Sequence, residues 1–139
     1  MYKAFGDLKV LDFSTTIAGP YCARLLADLG AEVVKIETPG AGDDARRFGP
    51  FVAGHSVYFA LLNRNKKSLT LDLKASGAQD LVLDLARRAD VVVENFRPGV
   101  AAKLGIGYDR LAAANPRLVY LSLSGFGQTG PLADRPAYD

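Results

Sequence analysis

The 139-residue chain has one cysteine and one histidine, no run of five or more like charges, no internal repeat, and no apolar stretch near the ~18 residues that would cross a membrane. Each absence removes a class of protein. A lone thiol, Cys22, excludes an intramolecular disulfide and fits a reducing compartment; it falls on the apolar face of a predicted helix, where a core role outweighs a reactive one. His55 has no second ligand-bearing residue near it in sequence, so no metal is expected and acid–base work is poorly supported. Basic residues are scattered among acidic ones and the formal charge is only +2, which gives no electrostatic support for nucleic acid or a membrane surface as partner. The opening MYKAFGDLKV lacks the apolar core of a signal peptide, making the cytoplasm the expected location. Hydrophobic residues make up 49% and charged residues 23%, as in an ordinary globular protein, and the length is that of one domain.

What is present is organised around Val10 to Glu37. A short apolar strand, Val10 to Phe13, leads into a turn of small and hydroxylated residues, an amphipathic helix and a second strand, Glu32 to Glu37. Thr15 or Thr16 can cap the helix, Pro20 suits its first turn, and Cys22, Leu25, Leu26 and Leu29 recur at helical spacing before Gly30 ends it. Strand, helix, strand is a βαβ unit, which implies a parallel sheet and a right-handed crossover. Ligands of such sheets collect outside the carboxyl ends of the strands, here Ser14 to Pro20.

The alternation continues along the chain. Pro39 to Pro50 is a polar, glycine-rich loop in which Arg46 and Arg47 either meet a phosphate or simply face Asp43 and Asp44. A short helix from Val57 to Asn63 is expected beneath the sheet. Leu69, Leu71 and Leu73 alternate with Ser68, Thr70 and Asp72 as a half-buried strand. Arg64, Lys66 and Lys67 read as a solvated basic cluster before that strand, and Lys74 lies at its exit. Ser76 to Gln79 has the form of a capping box before a helix that buries Ala78, Leu81, Val82 and Leu85. Asp90 to Glu94 is a continuous apolar strand, followed by Asn95-Phe96-Arg97-Pro98-Gly99, where Phe96 can stack on a nucleotide or the segment is a plain turn. A short helix from Pro98 closed by Gly105, another from Tyr108 to Asn115, and a last strand from Leu118 to Ser124 complete an α/β, Rossmann-like fold with a mostly parallel sheet of about five strands flanked by helices.

Gly125-Phe126-Gly127-Gln128-Thr129-Gly130 matches the G-x-G-x-x-G of dinucleotide sites but fails its context test. Pro131 follows at once where a helix should open, and no acidic residue stands about 20 positions on, so NAD is not expected. A flexible, side-chain-poor loop whose backbone N–H groups face a carbonyl oxygen or a carboxylate fits better.

Taken together, LKVLDFSTTIAGPYCARLLADLGAEVVKIE, NRNKKSLTLDLK, ADVVVENFRPGV, NPRLVYLSLSGFGQTGP and RPAYD resemble the N-terminal part of the class III coenzyme A transferases, the family of carnitine and formyl CoA-transferases and of α-methylacyl-CoA racemase. The resemblance implies a CoA-binding domain over residues 1–139. It puts Thr16, Ile17 and Ala18 against CoA, Leu71 and Lys74 at its adenosine end, Asn95, Phe96 and Val100 along the nucleotide, and Lys103 near the phosphates. Gly125, Phe126, Gly127, Gln128 and Tyr138 fall near the acyl group. Thr38 stands where the family often has arginine, which weakens the clamp on the adenine side.

The implied activity is exchange of CoA between an acyl-CoA and a carboxylic acid through an aspartyl anhydride and an aspartyl-CoA thioester. The nucleophilic aspartate belongs to a later segment than RPAYD, so the resemblance makes the chain an incomplete piece, inactive alone, of a protein that forms interlocked homodimers. Tyr138 replaces the histidine of the racemase branch, and tyrosine, with an ordinary pKa near 10, is a poor base. Transferase is therefore the leading expectation, with a racemase-type fragment or a non-catalytic CoA-binding module as alternatives.

Overall fold

A computed structural model describes residues 3–137. Its frame is a five-stranded, wholly parallel sheet built from β1 (Lys9–Asp12), β2 (Glu32–Glu37), β5 (Lys66–Thr70), β6 (Val91–Glu94) and β7 (Val119–Ser122). The spatial order is β5-β2-β1-β6-β7. Between β2 and β5 run a 3-10 turn (Asp44–Arg47), a two-residue hairpin of β3 (Phe51–Val52) and β4 (His55–Ser56), and helix α2 (Val57–Asn63). The hairpin follows the polar loop of Pro39 to Pro50, in a stretch for which the sequence suggests no element.

Successive strand residues point to opposite faces, and the central strand shows what each face holds. Val10 packs with Ala23, Ala27, Ala31, Val33 and Val93 under helix α1 (Ala18–Asp28). Leu11 belongs to the larger core on the other face, with Phe13, Ile36, Val82, Val92 and Leu111 under α3 (Ala78–Ala86) and α5 (Tyr108–Ala114). The result is a helix–sheet–helix sandwich. Among the described residues, no helix is long and apolar enough to cross a membrane.

The buried face of α1 differs from the predicted stripe. Gly19, Pro20, Ala23 and Ala27 face the sheet, while Leu25 and Leu29 are exposed and Cys22 and Leu26 half-buried. The helical period holds but its phase shifts, because α1 lies too close to the sheet for leucine. A Cβ on Gly19 would strike the Ser14 side chain. Neither Thr15 nor Thr16 caps α1; Ile17 occupies the N-cap and no side chain bonds the first turn. The expected capping box of α3 is likewise absent, since Gly77 takes the N-cap in a left-handed conformation (φ +78°). Its buried residues are Ala78, Val82 and Ala86, with Leu81 exposed.

Helix α2 is capped by Ser56, whose Oγ accepts from the Phe59 N–H at 3.0 Å. It packs on α1 and the 3-10 turn, not beneath the sheet. β5 begins two residues before the predicted leucine alternation, so Lys66 and Lys67 are strand residues. After Pro98 the chain forms α4 (Val100–Lys103), which ends before the left-handed Gly105 (φ +74°).

Candidate functional site at the carboxyl ends of the strands

From β1 the chain builds outward through β2 to β5, then returns to lay β6 on the other side of β1, with β7 beyond. Strand order therefore reverses between β1 and β6, and the crevice outside their carboxyl ends is the expected ligand site of an open parallel sheet. Two loops meet there. Asn95, just after β6, accepts the Thr15 N–H at 2.8 Å and donates its amide to the Thr15 carbonyl, also at 2.8 Å. The side chain predicted to lie along a nucleotide is thus engaged in holding the opposite turn.

Carboxylates cap the strand ends. Asp12 accepts from the Ser14 N–H at 3.0 Å and from its hydroxyl. Glu94 accepts from the Phe96 N–H at 2.7 Å and from the Ser122 hydroxyl. Glu37 accepts two bonds from Arg46, at 2.6 and 2.7 Å, one from Ser68 at 2.8 Å and one from the Asp43 N–H at 3.1 Å. Burial works against its charge, but these four donors outweigh it and hold the carboxyl at about 2, against an ordinary 4.5. Of the two loop arginines, Arg46 therefore meets Glu37 and Arg47 meets Asp44.

Two buried lysines complete the frame. Lys35 Nζ lies 2.8 Å from Asp43 and donates to the Ser14 carbonyl at 2.7 Å. Lys66 Nζ reaches Asp12 at 2.8 Å, the Pro20 carbonyl at 2.9 Å and Asn63 at 2.8 Å. Burial lowers the Lys66 pKa, with Asp12 opposing the shift. Lys66 is consequently a structural ion inside the fold, where a solvated cluster was expected.

Above this frame are two cavities. A cleft of about 510 Å³ is lined by Thr15 to Ala18, Asn95, Arg97, Pro98, Ser124, Gly125 and the segment Ala133 to Ala137. Beside it a pocket of about 60 Å³ lies among Phe13, Thr15, Thr38, Leu71, Leu73 and Phe96. The fold thus gathers Thr16, Ile17, Ala18, Asn95 and Gly125 around the larger space and Leu71 with Phe96 around the smaller. Lys74 and Lys103 are exposed and line neither, as is true of the half-buried Val100. Phe126, Gly127 and Gln128 are exposed beyond the cleft wall, Gln128 donating to Ser124 at 3.3 Å. Tyr138 lies outside the described residues.

Gly125 has a packing reason to be glycine, since a Cβ there would strike Ala137. Arg97 and Arg135 are cleft residues that sequence reasoning passed over. Arg97 lies within the quoted NFRPG turn and had a local signal, whereas Arg135 arrives only through the folding back of the loop after β7. Lys35 also carried a signal, a charge embedded in the apolar run of EVVKIE.

Comparison with known proteins agrees with this architecture. The profile of CoA-transferase family III matches residues 5–139. An acetyl-CoA:oxalate CoA-transferase of Acetobacter aceti is 53% identical over 135 residues, covering 97% of this chain and 35% of its relative. A succinyl-CoA:glutarate CoA-transferase of Homo sapiens is 44% identical over 138 residues, covering 99% and 32%. The crystal structure of a CAIB/BAIF family protein from Brucella suis matches with a TM-score of 0.93 at 43% identity, over 100% of this chain and 38% of that one. Rv3272 of Mycobacterium tuberculosis gives 0.89 at 47% identity, over 99% and 38%. The chain spans about a third of the length of the curated relatives it matches. With the family profile covering nearly every residue and the same parallel sheet in the solved relatives, the chain belongs to CoA-transferase family III.

Proposed function

We propose that this chain binds the CoA portion of an acyl-CoA along the carboxyl edge of its sheet, as the N-terminal CoA-binding domain of an acyl-CoA:carboxylate CoA-transferase. The observation that carries the reading is the cleft of about 510 Å³ at the β1/β6 switch point, onto which the uncapped N-terminus of α1 opens through Thr16, Ile17 and Ala18. Free N–H groups of a helix's first turn favour negatively charged or carbonyl oxygen. The names of the Acetobacter aceti and Homo sapiens relatives add the chemistry: both pair a CoA thioester with a dicarboxylate.

In this reading Leu71 and Phe96 form the apolar bed at the adenosine end, with Val100 following Phe96 along the nucleotide. Lys74 and Lys103, which have no ion-pair partner among the described residues, serve the phosphates. Gly125, Phe126, Gly127, Gln128 and Tyr138 serve the acyl side. Transfer follows a covalent aspartyl route. The carboxylate attacks the thioester carbonyl and expels CoA thiolate, leaving an aspartyl anhydride. Thiolate then attacks the aspartyl carbonyl and releases the first carboxylate, and an acceptor carboxylate resolves the aspartyl-CoA thioester by the reverse steps. None of the described aspartates is assigned that role; Asp12 and Asp43 are buried and paired with lysines. A cytoplasmic, interlocked homodimer belongs to the same reading. It fits the exposed line of Ile17, Tyr21, Leu25 and Leu29 along α1, an apolar strip of the kind that a partner covers.

Calorimetric titration of the 139-residue chain with CoA tests the proposal. Saturable heat is expected, and absence of heat at millimolar CoA contradicts it. With the aspartate assigned to none of the described residues, the chain alone is expected to bind CoA without exchanging it between an acyl-CoA and a carboxylic acid.

A further inference from the structure

The turn at the mouth of α1 adopts a conformation that its sequence does not favour. Thr16 sits at φ +69°, in the left-handed region that a β-branched residue avoids. Its surroundings hold it there. The Thr16 N–H donates to Asp43 Oδ1 at 3.0 Å, and the same oxygen accepts from Ala45 N–H at 2.9 Å. Asp43 Oδ2 faces Lys35 Nζ at 2.8 Å, and that ammonium also donates to the Ser14 carbonyl. One ion pair therefore grips the backbone on both sides of Thr15, while Asn95 grips Thr15 itself.

Both partners of the pair are only 1% exposed. Burying two charges carries a desolvation penalty that an apolar pair of similar volume would avoid. An apolar pair, however, could bond neither the Ser14 carbonyl nor the Thr16 N–H. Asp43 is itself fixed, because Glu37 takes its N–H at 3.1 Å and Arg46 in turn holds Glu37. Asp12 and Lys66 form the neighbouring pair, with Asp12 beside Lys35 in the strand register, so the four charges make one cluster.

We infer that Lys35 and Asp43 are positioning residues that set the left-handed backbone at Thr16 and so aim the first turn of α1 into the cleft. The inference rests on the reading of that cleft as the CoA site. It adds that affinity for CoA depends on a buried pair lining only the smaller neighbouring pocket.

Asp43→Ala, Asp43→Asn and the double variant Asp43→Ala/Thr16→Gly, made in the 139-residue chain, test it through two readouts. The first needs no ligand: amide hydrogen exchange at Thr16, measured relative to Leu111 in α5. Asp43→Ala should speed Thr16 exchange about tenfold or more relative to Leu111, the scale of a lost charge-assisted hydrogen bond. Asp43→Asn, which keeps an acceptor oxygen, should speed it less. The second is CoA affinity by calorimetry, well below each variant's unfolding midpoint. Asp43→Ala should weaken CoA by a similar factor, and adding Thr16→Gly, which removes the left-handed penalty, should recover part of the loss. If Asp43→Ala does not fold, Asp43→Asn with and without Thr16→Gly gives the same comparison. Uniform destabilisation with Thr16 exchange unchanged relative to Leu111 overturns the inference, as does unaltered CoA affinity in a folded variant. If the parent chain binds no CoA, the CoA reading fails, and the exchange ratio still decides whether the pair positions the turn.

Discussion

At the carboxyl end of the sheet Asp12, Lys35, Glu37, Asp43 and Glu94 are all at most 5% exposed, whereas at the amino end Lys9, Glu32 and Lys67 stand in solvent. The amino-end charges interact at the surface, Lys67 pairing with Glu32 at 2.5 Å, while Asp90 accepts only the Lys9 backbone N–H, at 2.9 Å. Surface pairs of this kind contribute little to stability, and buried ones carry a penalty. Among the described residues the buried charges converge where the chain leaves the sheet in particular, non-repetitive conformations, and even Lys66, which opens β5, sends its ammonium to Asp12 at the end of β1. The buried carboxylates bond backbone N–H groups of Ser14, Thr16, Asp43, Ala45 and Phe96, and Lys35 and Lys66 bond the carbonyls of Ser14 and Pro20. Such an arrangement fixes the backbone of the rim, as the proposed CoA cleft requires.

This contrast can be broken most severely at Asp12. Asp12→Ala leaves the buried Lys66 ammonium without its anion, and urea denaturation is expected to show a loss of about 3–5 kcal/mol. A loss comparable to that of a surface substitution would mean that Lys66 escapes to water and that the rim is not rigid. Gly19→Ala tests the close approach of α1 to the rim. The new methyl strikes the Ser14 side chain and lies 3.4 Å from Asn95 Cγ, and overpacking of this kind costs about 1–3 kcal/mol. The same variant should weaken CoA binding, whereas Leu81→Ala, on the exposed side of α3, should not.

The parts of the fold visible in the sequence are those encoded by local periodicity. β2 spans Glu32–Glu37 as predicted, and β1 and β6 lie within a residue of their expected bounds. The face of α1 was not legible, because Gly19, Ala23 and Ala27 give no hydrophobic signal and close packing selects them for small size. The N-caps Ile17 and Gly77 lie one residue beyond the expected Thr16 and Ser76, and neither uses a capping side chain. The site divides similarly. Strand ends pointed to Thr16 and Asn95, but the pairing of Lys66 with Asp12, 54 positions away, has no counterpart in sequence spacing. Thus a basic cluster that looked solvated contains a buried lysine.

Acid titration sharpens the comparison further. Glu37 has its carboxyl pKa lowered, so its stabilisation is complete above pH 4.5 and is lost as the pH falls toward 2. Arg46→Met should reduce stability at neutral pH and flatten its decline between pH 4.5 and 2, as read from urea midpoints across that range. An unchanged slope would mean that Ser68 and the Asp43 N–H hold Glu37 without the arginine. The smallest effect is expected at the amino end, where Glu32→Ala should leave the urea midpoint indistinguishable from that of the parent. A clear loss there would end the distinction between the two rims.

The central claim, that CoA lies along the carboxyl rim, is tested most directly by recording amide chemical shifts of the isotope-labelled chain during titration with CoA. Saturable shifts are expected at Thr16, Ile17, Ala18, Phe96 and Lys103, with Glu32, Lys67 and Asp90 unmoved. Saturable shifts confined to the amino-end residues, or no shifts at millimolar CoA, would contradict it.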